Sequence, residues 1–265
     1  MRGEVEFDRI APVYDETRSP PTSEELLALT VILSGCRRLL DAGVGTGRFA
    51  VPLHERSFEV VGVDLSREMM RRARAKGIER LVRADLRRLP LADGSVDAAF
   101  MAHVLQLLED PRPVLVELGR VARRRVVVLL PEWFERHPDA EQRARIDRYR
   151  AIAAELGYPM PERPPRYRHS LEELSTIAPP REVRVVTRPV PPGETPEERI
   201  ARWANLMRGR ADVPPEVHEQ IVRRLQSERS GEPAREPRPR VARFVVWEAG
   251  DLRSAGAVSA GRIRS

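Results

Sequence analysis

The sequence contains a single cysteine, a single lysine, few aromatic residues and no long hydrophobic run. Cys36 cannot form a disulfide within the chain or supply a cluster of thiolate metal ligands. Apolar runs such as residues 126–130 are strand-sized, far below the roughly 20 residues that a membrane-spanning helix needs. The first ten residues include acidic side chains and no apolar stretch, which argues against a signal peptide. We therefore expect a soluble, cytoplasmic protein with no membrane partner.

Basic residues outnumber acidic ones, and the formal net charge is +6. An excess of this sign can indicate a nucleic-acid partner. Here, however, all the basic residues except Lys76 are arginines, and they alternate with glutamates along most segments. The aromatic and basic residues that interleave on one strand face in RNA-binding modules are missing. We therefore do not expect a nucleic-acid partner.

Short apolar strands alternate with amphipathic helices between residues 24 and 130. Such alternation is typical of βαβ units, which build a parallel sheet with right-handed crossovers. The predicted strands in this part are 38–42, 59–64, 81–85, 96–101 and 126–130, and the predicted helices are 24–33, 48–55, 66–76 and 113–122. We predict an α/β fold with a Rossmann-like, seven-stranded, mostly parallel sheet, helices on both faces and a helical cap.

The pattern changes after residue 131, where charged helices and Pro-rich stretches separate two further predicted strands, 182–190 and 241–248. The predicted division of the chain is an N-terminal lid segment and first helix (1–34), a Rossmann-like core (35–131), a cap insertion (132–168), the last core helix and strand six (169–190), a second cap segment with a mobile loop (191–240), the final strand (241–250) and a tail (251–265). We expect the tail to be frayed, because its residues are small and polar.

The most informative segment is LLDAGVGTGR, residues 39–48. A glycine loop between a buried strand and a helix lets the backbone approach a ligand, at the strand end where open α/β sheets bind their ligands. The spacing is G-x-G-x-G, and Arg48 stands where the dinucleotide fingerprint has its third glycine. Asp41 beside the crevice would repel a diphosphate but attract an ammonium group. These details argue against an oxidoreductase that uses NAD.

Two more acids end the next two predicted strands. Asp64 ends the second strand, where a carboxylate can accept hydrogen bonds from both hydroxyls of a ribose. Asp85 ends the third strand and is followed by Leu86. This pair suits an adenine edge, because the carboxylate accepts from the exocyclic amine and the leucine packs on the ring. An acid thus follows each of the first three strands, in an order that suits a nucleoside.

The segments LLDAGVGTGRFA, VVGVDLS and RADLRRLPLADGSVDAAF resemble the S-adenosylmethionine-binding half of class I methyltransferases. They are most similar to the broad type 11 family, which includes enzymes of the ubiquinone and menaquinone pathways. The N-terminal FDRIAPVYDETR also resembles that family, and the resemblance extends over residues 5–130. One departure is Arg123-Arg124-Arg125, which stands where the family has a Pro-Gly-Gly turn before strand five.

The resemblance implies S-adenosylmethionine as the cofactor. We expect no metal, because the histidines are scattered without metal-ligand spacing. Carried over by position, the resemblance implies that the residues around the cofactor are Tyr14, Arg18, Asp41, Gly43, Gly45, Gly47, Asp64, Leu65, Met69, Asp85, Leu86 and His103. The glycine loop with its acid would face the methionine part, and the two later acids with their leucines would hold ribose and adenine. Tyr14 and Arg18 would close over the site. Met69 either packs on adenine or belongs to the core.

The implied function is transfer of a methyl group to a small-molecule acceptor by in-line displacement. Because a sulfonium donor is already activated, the protein mainly has to align the acceptor and exclude water. His103, just after strand four, is a candidate catalytic base for an oxygen or nitrogen acceptor. Two alternatives stay open: a non-catalytic protein that binds the cofactor or its demethylated product, and an RNA methyltransferase. Whether the chain is a monomer or a homodimer is also open.

Overall fold

The computed structural model describes residues 7–130, 140–160, 167, 169–188, 195–205, 207, 213–228 and 240–262. The chain forms two compact units. The larger unit comprises residues 20–135, 165–188 and 241–265, and the smaller one comprises residues 1–19, 136–164 and 189–240. The sequence predicts a mobile loop at 230–240. Its residues 230–239 lie outside the described residues, and Arg240 instead begins the last strand. The division into seven segments stays a prediction. Within the described ranges, no helix is long and apolar enough to cross a membrane.

The larger unit is built on one seven-stranded sheet. Its strands are β1 (Arg38–Ala42), β2 (Glu59–Asp64), β3 (Leu81–Arg83), β4 (Val96–Ala102), β5 (Ala122–Leu130), β6 (Glu182–Arg188) and β7 (Arg240–Glu248). Their order across the sheet is β3-β2-β1-β4-β5-β7-β6. The first five strands pair in parallel, and β7 pairs antiparallel with β5. The predicted fold class is confirmed.

Helices cover both faces of this sheet. Those of the larger unit are α1 (Ser23–Ile32), α2 (Ala50–His54), α3 (Arg67–Ala75), α4 (Arg112–Val121), α6 (Leu171–Ile177) and α9 (Ala249–Arg262). Successive strand residues point to opposite faces. Accordingly, Leu39 belongs to one buried cluster and its neighbour Leu40 to the other. The apolar core therefore lies on both sides of β1, as a buried parallel sheet requires.

The helix starts follow the capping residues in the sequence. The Thr22 hydroxyl accepts from Glu25 N while the Glu25 carboxylate accepts from Thr22 N, a complete capping box before α1. Ser66 caps α3 by accepting from Met69 N at 3.1 Å. Ser170 is the N-cap of α6, and its hydroxyl accepts from Glu173 N at 3.0 Å. Local hydrogen-bonding chemistry is enough to define these boundaries.

The prediction of a frayed tail after Asp251 is wrong, because residues through 262 form α9, which packs on α4. A Cβ on Gly119 would lie only 2.6 Å from the Leu252 Cβ, so the two helices approach very closely. The Arg253 guanidinium also donates to the carbonyl oxygens of Gly119 and Ala122, at 2.8 Å each. The small residues that suggested fraying allow this close helix contact instead.

The three arginines at 123–125 lie inside β5, which begins at Ala122, immediately after α4, and not at Val126 as predicted. Arg124 donates to the Gly35 carbonyl oxygen at 2.6 Å, and Arg125 donates to that of Ile32. The last carbonyl groups of a helix have no partner within it. Arginine side chains from β5 therefore satisfy the end of α1 and the turn that follows it.

The smaller unit has a helical core of its own. Its helices are α5 (Ala140–Glu155), α7 (Pro196–Asn205) and α8 (Pro215–Ser227). Tyr149 of α5 is fully buried, its hydroxyl lies 2.7 Å from His218 Nδ1, and its ring meets that of Trp203 edge-on. Ion pairs from Arg148 to Glu155 and Glu228 link α5 with the end of α8. This unit is stabilised by its own apolar contacts.

Candidate functional site

The order of the strands defines a crevice at β1. From β1 the sheet extends through β2 to β3 on one side and through β4 to β5 on the other. Open α/β sheets bind ligands at such a reversal, outside the carboxyl ends of the strands. The loop after β1, residues 43–49, and the segment after β4, residues 103–107, flank this crevice. The candidate site described here belongs to the larger unit.

The glycines of the loop serve two different purposes. Gly43 has a φ of +80°, and a Cβ there would lie 2.4 Å from Val104 Cγ2, so the missing side chain lets the loop pack on the segment after β4. Gly45 has a φ of +54°, but a Cβ on it would meet no atom within 4 Å in the part of the chain that the structure describes. Both conformations favour glycine. Gly45 therefore presents bare backbone to open space, where a ligand could lie against it.

Asp64, at the end of β2, is fixed by the backbone. Its Oδ2 accepts from Gly45 N at 2.8 Å, and its Oδ1 accepts from Ser66 N at 2.9 Å. A carboxylate has about four acceptor positions, so it can accept from several donors at once. The next residue, Leu65, is 40% exposed and presents an apolar surface. An acceptor suited to a diol thus adjoins both the glycine loop and an apolar side chain.

Asp41 lies beneath the glycine loop and is only 4% exposed. Burial raises the pKa of its carboxyl to about 7, with a further contribution from the charge of Asp64. The backbone N–H of Ala50 and the charge of Arg48 act in the opposite direction. A carboxyl group buried in this way can act on a ligand through its charge, across the glycine loop, or through a bridging water. The predicted contact of Asp41 with the methionine part stays a prediction.

Asp85 differs from the sequence prediction in its setting. β3 ends at Arg83, so Asp85 lies in the turn that follows the strand and not at the strand end. Arg87 Nη2 donates to its Oδ2 at 2.5 Å, and Arg87 N donates to its Oδ1 at 2.9 Å. These bonds hold the pKa of Asp85 below its usual value. Arg87 Nε also donates to both oxygens of this carboxylate, at 3.0 and 3.1 Å. With four bonds to Arg87, the carboxylate would have to give up some of them to accept from an adenine amine.

Two predicted adenine contacts lie in the core. Met69 is 1% exposed and Leu86 is 9% exposed, and Leu86 packs in the buried cluster on one face of the sheet. For Met69, burial favours the core alternative over the adenine one. Leu65 offers more apolar surface to a ligand than either of them. The contacts of all three residues with a cofactor stay predictions.

Tyr14 and Arg18, the predicted closing residues, belong to the smaller unit. The Arg18 guanidinium lies 5.2 Å from the centre of the Tyr14 ring, within the range of a cation–π contact. Arg18 also donates to the Thr17 carbonyl oxygen at 2.9 Å. The two side chains are therefore arranged as a pair. Their closure over the cofactor stays a prediction.

His103 begins the segment after β4 and meets the glycine loop. Its φ is +58°, and its Nε2 lies 3.1 Å from Nη2 of Arg48. Gln106 donates to the His103 carbonyl oxygen at 2.6 Å. The contact between Arg48 and His103 therefore joins the glycine loop after β1 to the segment after β4. The sequence places both residues near the site but does not show that they touch.

Two further residues support the site and are not among the sequence predictions. Lys76, at the end of α3, donates from Nζ to the Thr46 carbonyl oxygen at 3.0 Å and so holds the glycine loop. A lone lysine among arginines is a signal that could have singled it out. Gln106 is 9% exposed, and its Oε1 has no hydrogen-bond partner within the described part of the chain. Nothing in the sequence marks Gln106.

Comparisons with known proteins agree with this geometry. Residues 40–130 match the family model described as a methyltransferase domain, which confirms the resemblance stated from the sequence. A malonyl-[acyl-carrier protein] O-methyltransferase of Laribacter hongkongensis is 36% identical over 141 residues, covering 46% of this chain and 47% of that protein. A demethylmenaquinone methyltransferase of Roseiflexus is 38% identical over 128 residues, covering 44% and 54%.

A solved structure shares the fold. A methyltransferase from Thermotoga maritima, described as dependent on S-adenosylmethionine and as a possible histamine N-methyltransferase, superposes with a TM-score of 0.53 at 20% identity. The match covers 91% of this chain and 98% of that one. By contrast, the chain spans about half the length of the curated relatives it matches. The similarity in sequence is concentrated in the part that carries the glycine loop and the three acids.

Proposed function

We propose that this chain, whose residues 40–130 belong to the methyltransferase domain family, binds S-adenosylmethionine and transfers a methyl group to a small-molecule acceptor. The observation that carries the proposal is the pairing of Asp64 with Gly45. The backbone of Gly45 faces open space, and its N–H donates to the Asp64 carboxylate at 2.8 Å. A ligand lying along this loop would therefore meet a carboxylate acceptor at one end.

The residues present fit the chemistry of this cofactor. Asp64 would accept from the ribose hydroxyls, and Leu65 would support the adenine ring with its exposed side chain. The bare backbone of Gly45 would face the methionine part. When bound, S-adenosylmethionine supplies a methyl group that is already activated by the positive charge on sulfur. The protein then has to orient the acceptor and exclude water.

A small-molecule acceptor is favoured over RNA. The sequence lacks the strand face of interleaved aromatic and basic residues by which common RNA-binding modules stack bases. Two of the relatives are named for other acceptors, a malonyl-[acyl-carrier protein] and demethylmenaquinone. We extend only the coarse class to this chain, that of an acceptor other than a nucleic acid.

Isothermal titration calorimetry with S-adenosylmethionine, S-adenosylhomocysteine and NAD tests the proposal. We expect both sulfur nucleosides to bind and NAD not to bind, because the loop lacks the third glycine of the dinucleotide fingerprint and has Arg48 there. Binding of NAD in preference to S-adenosylmethionine would contradict the proposal. Binding without methyl transfer to any acceptor would support the non-catalytic alternative instead.

A further inference from the structure

Two contacts and an unusual backbone conformation define the position of His103. Its backbone adopts a left-handed φ of +58°, which is uncommon for residues other than glycine, although histidine, asparagine and aspartate adopt it more often than most. Its carbonyl oxygen accepts from Gln106 at 2.6 Å, and its ring nitrogen Nε2 lies 3.1 Å from the Arg48 guanidinium. Such backbone conformations persist where the surroundings impose them, and they cluster at functional sites. The ring is thus held in one orientation at the edge of the crevice.

The bond to Arg48 determines where the ring proton lies. A guanidinium group only donates hydrogen bonds and has no acceptor. In the contact at 3.1 Å, Nε2 of His103 must therefore use its lone pair to accept. A neutral imidazole carries one proton, which then lies on Nδ1. While this bond lasts, Nε2 cannot take a proton from a methyl acceptor.

We propose that this site removes no proton and takes an acceptor whose reacting atom is a carboxylate oxygen. This inference rests on the proposed function and names its substrate class. Carboxylates are ionised at neutral pH, whereas an alcohol or an ammonium group must first lose a proton. The positive charge of Arg48 at the crevice also favours an anion. Of the two carboxyl groups beside the glycine loop, Asp41 is 4% exposed and too deeply buried to contact an acceptor, and Asp64 would be occupied by the ribose hydroxyls.

Methyl transfer to a carboxylate balances in atoms, electrons and charge without a base. An oxygen–carbon bond forms as the sulfur–carbon bond breaks, and the electron pair of the broken bond stays on sulfur. The carboxylate becomes a neutral methyl ester while the sulfonium loses its charge, so no proton has to move. In this scheme Arg48 has two effects: its hydrogen bond fixes the tautomer of His103, and its positive charge attracts the anionic acceptor. His103 accepts a hydrogen bond from Arg48 and does not act as the base that the sequence predicted.

Nitrogen-15 NMR of the histidine rings in the ligand-free protein tests the tautomer directly. We expect His103 to carry its proton on Nδ1, and we expect Arg48→Met to shift the proton towards Nε2. His103→Asn identifies which ring signals belong to His103, because asparagine tolerates a left-handed backbone and should keep the fold.

Arg56→Met is the matched control, since Arg56 also donates a hydrogen bond, here to the Pro52 carbonyl oxygen. Should Arg48→Met not fold, Arg48→Lys keeps one donor and should retain the wild-type tautomer. A proton on Nε2 in the wild-type protein would overturn the inference.

Three probes with the same carbon chain, hexanoate, 1-hexanol and hexylamine, test the substrate class with methyl-labelled S-adenosylmethionine. We expect label to appear in methyl hexanoate alone, and Arg48→Met to lower that rate about ten-fold, the effect of losing one charged contact. Equal labelling of the three probes, or labelling of none, would overturn the assignment of a carboxylate.

Calorimetry on the same samples separates the proposed function from the assignment of a carboxylate acceptor. Loss of S-adenosylmethionine binding by the wild-type protein would contradict the proposed function, whereas binding without hexanoate labelling would contradict only this inference.

Discussion

Asp64 ends β2 and Asp85 lies in the turn after the neighbouring parallel strand β3, and their carboxylates are held in different ways. Asp64 accepts from two backbone N–H groups, those of Gly45 and Ser66. Asp85 is held by Arg87, whose side chain is 67% exposed. Backbone donors are fixed by the fold, whereas an exposed ion pair contributes about 0–1 kcal/mol and opens easily. The Asp64 carboxylate at the end of β2 is therefore preorganised for a ligand. The Asp85 carboxylate after β3 has to give up bonds to Arg87 before it can bind one.

Asp64→Asn should have the largest effect, because it replaces an anion that would accept two ribose hydroxyls. We expect the Kd for S-adenosylmethionine to rise by at least about 100-fold, since each hydrogen bond to a charged group contributes about 1.5–3 kcal/mol. Titration calorimetry measures the change. Asp97→Asn is the control, because the Asp97 carboxylate also accepts from two backbone N–H groups, of Arg37 and Arg38, at 2.8 and 2.9 Å. Equal losses of affinity in the two variants would show that the effect is structural.

Gly45→Ala should lower the affinity by about ten-fold or more, because the new methyl group would occupy the space where the ligand lies against the backbone. Its cost to the free energy of unfolding should be about 1–2 kcal/mol, as for any alanine in a left-handed conformation. Gly77→Ala provides a matched control. Gly77 has a φ of +95° and open space around its Cβ position, but it lies at the end of α3. Thermal melts should find similar losses of stability, while calorimetry should find weaker binding only for Gly45→Ala.

Asp41, in β1, should make the affinity for S-adenosylmethionine depend on pH. Its pKa is about 7 in the folded protein, and a cationic ligand favours the ionised form. Binding below this pH should therefore release a proton, and affinity should rise by up to about ten-fold between one pH unit below and one above the pKa. Calorimetry in buffers of different ionisation enthalpy measures the proton release. Asp41→Asn should remove both effects, and a persistent pH dependence in that variant would assign them to another group.

The same carboxyl group also links pH to stability. Because its folded-state pKa lies above the ordinary value of 3.8, the folded protein holds this proton over a pH range in which the unfolded chain has lost it. The stability that the proton contributes is present at low pH and is lost as pH rises through about 7. Denaturant melts of the wild-type protein and of Asp41→Asn should therefore diverge over this range.

Arg87→Ala should have the smallest effect and the opposite sign. Removing the guanidinium frees the Asp85 carboxylate from competition, so we expect S-adenosylmethionine to bind about two- to five-fold more tightly, as the loss of a weak exposed ion pair implies. Arg71→Ala, which breaks a similarly exposed pair with Glu68, should leave the Kd unchanged. Weaker binding by Arg87→Ala would mean that Arg87 itself contacts the ligand, and the contrast between Asp64 and Asp85 would then have to be revised.

The sequence by itself determined the features that depend on neighbouring residues. The bounds of β1 and β2 agree with the prediction at both ends, because apolar runs bounded by turn residues specify buried strands. The caps at Thr22, Ser66 and Ser170 are likewise readable, since each one bonds a backbone group three residues away. The spacing of the glycine loop, with an acid near each of three strand ends, was sufficient to indicate a nucleoside site.

Only the tertiary structure decided how those groups behave. The protonation of Asp41 depends on burial and on the charge of Asp64, which belongs to another strand. The contact between Arg48 and His103 joins loops that follow β1 and β4. The helix at the end of the chain forms against α4, through close contacts at Gly119 that no local pattern describes. These properties arise from electrostatic and packing energies between distant residues, which become defined only when the strands and helices come together.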